Sequence, residues 1–248
     1  MEFGKLTYQE IKDAARSNWI AIIPTGCTEQ QGIHLSVDFD TWFVGKLCNA
    51  ASSMVADRFN INSLVLPTMP FGPTPEHLGF GAGYINIPQS IHESVFQEVL
   101  QSLTDQGFQR IIIWPGCGQH QLSHMVERFL SSVSENINVF FPTLPYQNIW
   151  ENLVGPDVFG GHADGFATSI SLYLRSEDVR KDKIQNPVYT MPNWGSPDLD
   201  FSKHTDTGSI GDLSVASAKL GKQLWVALVE ECSKIIYDYD QRTKADTP

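Results

Sequence analysis

Four short apolar runs constrain the fold of this chain more than any other feature: Trp19 to Pro24, Ser63 to Pro67, Arg110 to Trp114 and Ile137 to Pro142. Each is rich in β-branched residues and is bounded by Gly, Pro or polar punctuation, the pattern of a buried strand. Longer stretches of helical period separate them. One runs from Asp40, read as its N-cap, to Arg58; another repeats Ile91, Val95, Val99 and Leu103 at a four-residue step before Gly107 closes it. Further helices are expected from about His120 to Ser134, from Ala163 to Leu174 and from about Leu213 to Tyr239. Such alternation predicts a three-layer α/β/α sandwich around a mostly parallel sheet. No repeat, low-complexity tract or linker interrupts it, so residues 1–248 are read as one domain with a loose tail over about 240–248.

Charge narrows the function classes. The chain has 17 Lys and Arg against 28 Asp and Glu, a net charge of −11, which excludes a phosphate-neutralising surface and with it a nucleic-acid partner. At 42% hydrophobic and 18% charged residues, the composition is that of a folding chain. No stretch approaches the roughly 18 apolar residues of a membrane span, and Met1 to Thr7 has no basic region leading into an apolar run. Cys27, Cys48, Cys117 and Cys232 form no Cys-x-x-Cys pair and fit a reducing compartment. A cytoplasmic protein without a membrane partner is expected.

In open α/β sheets ligands bind beyond the carboxyl ends of the strands, which directs attention to the loops after the first three runs. The first, from Thr25 to Phe39, leads into Asp40 and concentrates Glu29, His34, Asp38 and Asp40, donors that suit a divalent cation as well as a solvated helix start. The second, Thr68 to Gln89, is long and rich in Pro and Gly. In the third, Cys117 sits between two glycines ahead of an expected helix, where a dipole would lower its pKa and make it a nucleophile or a metal ligand. A buried, inert thiol is the competing reading. His120 and His124, four apart, are expected on one helical face. No Gly-Lys-Ser/Thr follows these glycines, so a nucleotide loop is not indicated.

Five segments, in order, resemble the creatininase (creatinine amidohydrolase) family. Residues Gly26 to Thr41 are similar to its Gly-Ser-x-Glu-Gln-His-Gly-Pro-His-Leu-Pro-x-x-x-Asp-Thr segment, and Pro70 to Phe80 to its second loop. Gly107 to His120 resembles its strand and following Asn-Gly-His-Gly-Gly-Asn turn. Gly161 to Ser169 is similar to its His-Ala-Gly-x-x-Glu-Thr-Ser, and Gly208 to Asp212 to its late Gly-x-x-Gly-Asp. The resemblance implies a hydrolase that uses one or two divalent ions to cleave C–N bonds in small cyclic or linear amides, and a ring-like homo-oligomer, often a hexamer. It assigns Glu29 and Asp40 as ligands. Family ligand positions are occupied here by Gln31, Cys117 and Gln119, and a family Glu by Ala167.

These departures favour one ion, Zn before Mn or Fe, held by Glu29, Asp40 and Cys117, because a thiolate is a strong zinc ligand and an amide a poor one. His162 and His77 are the expected catalytic histidines, and His34, Gln31, Gln119 and His120 the expected substrate-binding residues. The competing expectations are an inactive member that binds a metabolite or serves as an assembly subunit, and a metal-free enzyme with Cys117 as nucleophile. Assembly is expected through the second loop or the Pro/Gly-rich stretch from Asn186 to Gly211.

Overall fold

The computed structural model describes residues 1–118 and 120–245. Strands β1 (Ile20–Thr25), β2 (Ser63–Val65), β3 (Arg110–Pro115) and β4 (Asn138–Phe140) form an all-parallel sheet in the order β2-β1-β3-β4. The central pair is in register from Ile20 opposite Arg110 to Thr25 opposite Pro115. Successive strand side chains point to opposite faces and make two cores. Ile20, Ile22, Ile112 and Trp114 pack against α2 (Phe39–Phe59), α5 (Tyr146–Val154), α6 (Gly165–Leu174) and α7 (Ala218–Ala245). Ala21, Ile23, Ile111 and Ile113 pack against α1 (Tyr8–Arg16), α3 (Gln89–Asp105) and α4 (Ser123–Leu130). This is the three-layer sandwich expected from the alternating runs.

Several local expectations are corrected. The residue preceding α2 is Asp38, and Asp40 lies inside its first turn. Phe39 is buried and stacks on Phe43 with ring centroids 5.4 Å apart, which brings the helix start back ahead of Asp40. The helix expected from His120 begins only at Ser123, so Cys117 lies six residues before it and receives no helix-dipole assistance. His120 and His124 consequently share no helical face: His120 is buried, while His124 is exposed beside Glu127. The tail expected to be loose from about 240 is helical to 245, because Asp240 is buried 2.7 Å from Arg110 Nη1. Tyr239, the residue before it, donates its hydroxyl to the Asn138 carbonyl. Residues 246–248 lie outside the described residues. Among the described residues no helix is long and apolar enough to cross a membrane.

Candidate metal centre

The loop after β1 is pinned to α2 at close range. Thr41 Oγ1 donates to the Cys27 carbonyl at 2.8 Å, and a Cβ on Gly26 would stand 2.5 Å from Thr41 Cα, a separation only glycine permits. This closeness sets the Cys27 sulfur 3.3 Å from Asp40 Oδ2. Gln31 Nε2 spans the two carboxylates, donating to Asp40 Oδ2 at 2.7 Å and to Glu29 Oε1 at 3.4 Å. Donor atoms of Cys27, Glu29 and Asp40 all lie within 4.8 Å of one another.

Two further sets adjoin this one. Glu29, His77 and His162 converge equally tightly, with His77 Nε2 3.3 Å from Glu29 Oε2 and His162 Nδ1 3.6 Å from Glu29 Oε1. Cys27, Cys117 and His120 form the third, and Cys117 Sγ is 4.0 Å from Glu29 Oε2. Glu29, Asp40 and Cys117 therefore line one cavity, but the thiol grouped with both carboxylates is Cys27. Cys27 carries no spacing signal in the sequence; only its place two residues before Glu29 marks it.

The electrostatics are those of a buried donor set. Burial alone would raise Glu29, yet His77 beside it holds its carboxyl below the usual range. Burial and the neighbouring Glu29 push Asp40 well above that range, so the two carboxylates of the pair are driven in opposite directions. Burial likewise raises the Cys27 thiol. Burial lowers His162 to about 4, leaving it neutral near pH 7. Its Nε2 meets the Gln30 carbonyl at 2.7 Å, and a carbonyl only accepts, so Nε2 carries the proton and Nδ1 is a bare acceptor facing Glu29. Two acceptors 3.6 Å apart call for something electropositive between or beside them. Two buried carboxylates, a thiol and a bare imidazole nitrogen fit a divalent cation.

The cavity above these groups has a volume of about 640 Å³ and is walled by Tyr146, Trp150, Phe159, Phe166 and Trp194. Trp194 and Phe201 come from the Asn186 to Gly211 stretch, which covers the site. The second loop supplies Glu76 and His77, both buried, with Glu76 Oε1 3.6 Å from His77 Nε2; burial raises the Glu76 carboxyl. Of the expected substrate-binding residues, Gln31 lines the cavity. His34 and His120 do not line it: His34 Nε2 meets Thr168 Oγ1 at 2.7 Å, and His120 Nδ1 meets Thr25 Oγ1 at 3.1 Å. Gln119 lies outside the described residues.

The family model described as creatininase, creatinine amidohydrolase, matches residues 4–236. The chain belongs to the creatinine amidohydrolase family. It is 26% identical over 226 residues to the mycofactocin precursor peptide peptidase of Mycolicibacterium smegmatis, covering 86% of this chain and 83% of that protein. It is 23% identical over 263 residues to the creatinine amidohydrolase of Pseudomonas putida, covering 95% and 94%. A solved structure titled creatininase Mn superposes with a TM-score of 0.81 at 19% identity, covering 96% of this chain and 97% of that one, which shows a shared fold. Membership makes the chain a hydrolase of creatininase type, and its donor clusters are of a kind that suits a divalent metal. Within this creatinine amidohydrolase frame, Ala167 lines the cavity where the family segment carries Glu.

Proposed function

We propose that this chain hydrolyses the C–N bond of a small cyclic or linear amide with one catalytic divalent ion held by Glu29, Asp40 and Cys27. The observation that carries the reading is the mutual approach within 4.8 Å of these three donors, two of which, Glu29 and Asp40, line the aromatic cavity. Three protein ligands with one side open is the usual count of a catalytic site, and a thiolate among them favours Zn over Mn or Fe. Held by these residues, such an ion would supply Lewis acidity toward the amide carbonyl and toward water near neutral pH.

The protein's own groups do the rest. The Gln30 carbonyl fixes the His162 ring through Nε2, so that Nδ1 is the atom left to take a proton and return it to the departing nitrogen. His77, between Glu29 and Glu76, is placed to hold Glu29 and pass on that proton. The aromatic walls seat a flat amide and exclude water. A cytoplasmic homo-oligomer, with a hexamer as one possible form, completes the reading.

The test is hydrolysis of formamides, small lactams and short peptides by chelator-treated protein reloaded with Zn or Mn, beside Glu29→Gln. Ion-dependent turnover of a small amide, lost more than about a hundredfold in the variant, supports the reading, since even an outer-shell partner of a ligand costs up to that much. Turnover confined to peptides would move the substrate class toward that of the M. smegmatis relative. Absence of turnover and of ion binding would leave a metabolite-binding or assembly role.

A further inference from the structure

The third donor set shares Cys27 with that reaction but leaves Cys117 and His120 unused by it, and it is built by the sheet itself. Thr25 and Pro115 are paired at the ends of β1 and β3, so Cys27 and Cys117 each stand two residues past the same rung. The Gly116 backbone N–H donates to the Thr25 carbonyl at 2.7 Å and keeps the two loop starts together. Thr25 also meets His120 Nδ1 through its hydroxyl at 3.1 Å, which ties that ring to the end of β1. His120 is 3% exposed, and its Nε2 has no protein hydrogen-bond partner. A Cβ at Gly72 would collide with that nitrogen, so glycine at that position is what leaves room for the ring.

From this geometry we infer that Cys27, Cys117 and His120 form a second, thiophilic metal position that takes a soft or borderline ion such as Zn²⁺ or Cd²⁺. The inference rests on the proposed metal reading only in sharing Cys27 between the two positions. The donor atoms lie within 4.8 Å of one another, and tetrahedral ligation at zinc bond lengths needs about 3.8 Å between sulfurs, a contraction of no more than about 1 Å. Two thiolates and an imidazole discriminate against Mg²⁺ and Mn²⁺, which prefer oxygen. A ligating histidine whose other ring nitrogen is held by a hydrogen bond is the usual outer arrangement, and Thr25 supplies it here. Glu29 Oε2 lies 4.0 Å from Cys117 Sγ, so a carboxylate oxygen adjoins the sulfur pair. The two positions thus differ in character, one dominated by oxygen and the other by sulfur, and they meet at Cys27.

The full chain, stripped with chelator, is loaded with half an equivalent of Cd²⁺, and sulfur neighbours are counted by X-ray absorption together with the thiolate-to-cadmium charge-transfer band. Mn²⁺ binding is titrated separately. The expected result is two sulfurs per Cd²⁺ in the wild type. Cys117→Ser lowers this to one and weakens Cd²⁺ binding at least about tenfold while Mn²⁺ still binds. Glu29→Gln abolishes Mn²⁺ binding and keeps the two-sulfur signal. One sulfur or none per Cd²⁺ in the wild type overturns the inference, as does a Cys117→Ser protein with unchanged sulfur count and affinity. Should Cys117→Ser fail to fold, the wild-type sulfur count decides alone. Mn²⁺ failing to bind any of the proteins while the two-sulfur signal persists would sink the catalytic-ion reading and leave this position standing.

Discussion

Acidification should unfold this protein well above the carboxylate range, and the buried histidines set the size of the effect. Burial lowers His34, His92, His120 and His162 from 6.5 to about 4. None is more than 9% exposed. A folded pKa below the unfolded value means that the unfolded chain binds more protons between pH 6.5 and 4, so stability falls as pH falls through that window. Each ring is worth about 3 kcal/mol once the window is crossed, and four exceed about 10 kcal/mol, comparable to the whole stability of a typical domain. Glu29, held low, adds a loss of the same sign at lower pH, whereas Asp40, held high, opposes it. Urea denaturation of chelator-treated protein, followed by far-UV circular dichroism from pH 7.5 downward, should show a midpoint falling steeply below pH 6.5. His92→Leu is the control. Neither ring nitrogen of His92 has a protein partner, so the variant loses no hydrogen bond and should flatten the slope by about 1.4 kcal/mol per pH unit, one proton's share. A midpoint unchanged between pH 7 and 5 would refute the reasoning.

Two other substitutions probe how the fold holds the site. Asp164 accepts from the backbone N–H of Gly161, Phe166 and Ala167 at 2.6, 3.0 and 3.2 Å, so Asp164→Ala should cost about 2 kcal/mol in a urea melt and loosen His162, which lies between these bonds. Gly26→Ala drives a Cβ against the Thr41 backbone; it should destabilise by about 1–3 kcal/mol and weaken Mn²⁺ binding by parting Cys27 from Asp40, as seen by titration calorimetry.

The layers were legible because buried parallel strands must be apolar on both faces, and the runs at 19–24 and 110–114 say so without ambiguity. Helix α1 escaped because its buried face is only Ala14 and Ala15, although Thr7 and Glu10 form a reciprocal cap that spacing alone announces. Helix α5 is nine residues long and follows Pro145 directly, too short for a period to emerge. In the site, Glu29 and Asp40 could be found from their loop, and the family resemblance named them. Cys27 could not, because its partnership with Cys117 is created by the β1–β3 register, which no local pattern encodes. Likewise His120 reads as half of a helical pair until the late start of α4 turns it inward onto Thr25.

The central claim, an ion bound between Glu29, Asp40 and Cys27, is tested most directly by elemental analysis of protein purified without chelator or metal-affinity resin, wild type beside Asp40→Asn. Asp40 touches both Cys27 and Gln31, and its loss removes a ligand from the carboxylate position alone. Wild-type chains should carry Zn, Mn or Fe at one ion more per chain than Asp40→Asn chains of equal foldedness. Equal metal content in the two proteins, or none in either, would contradict the account.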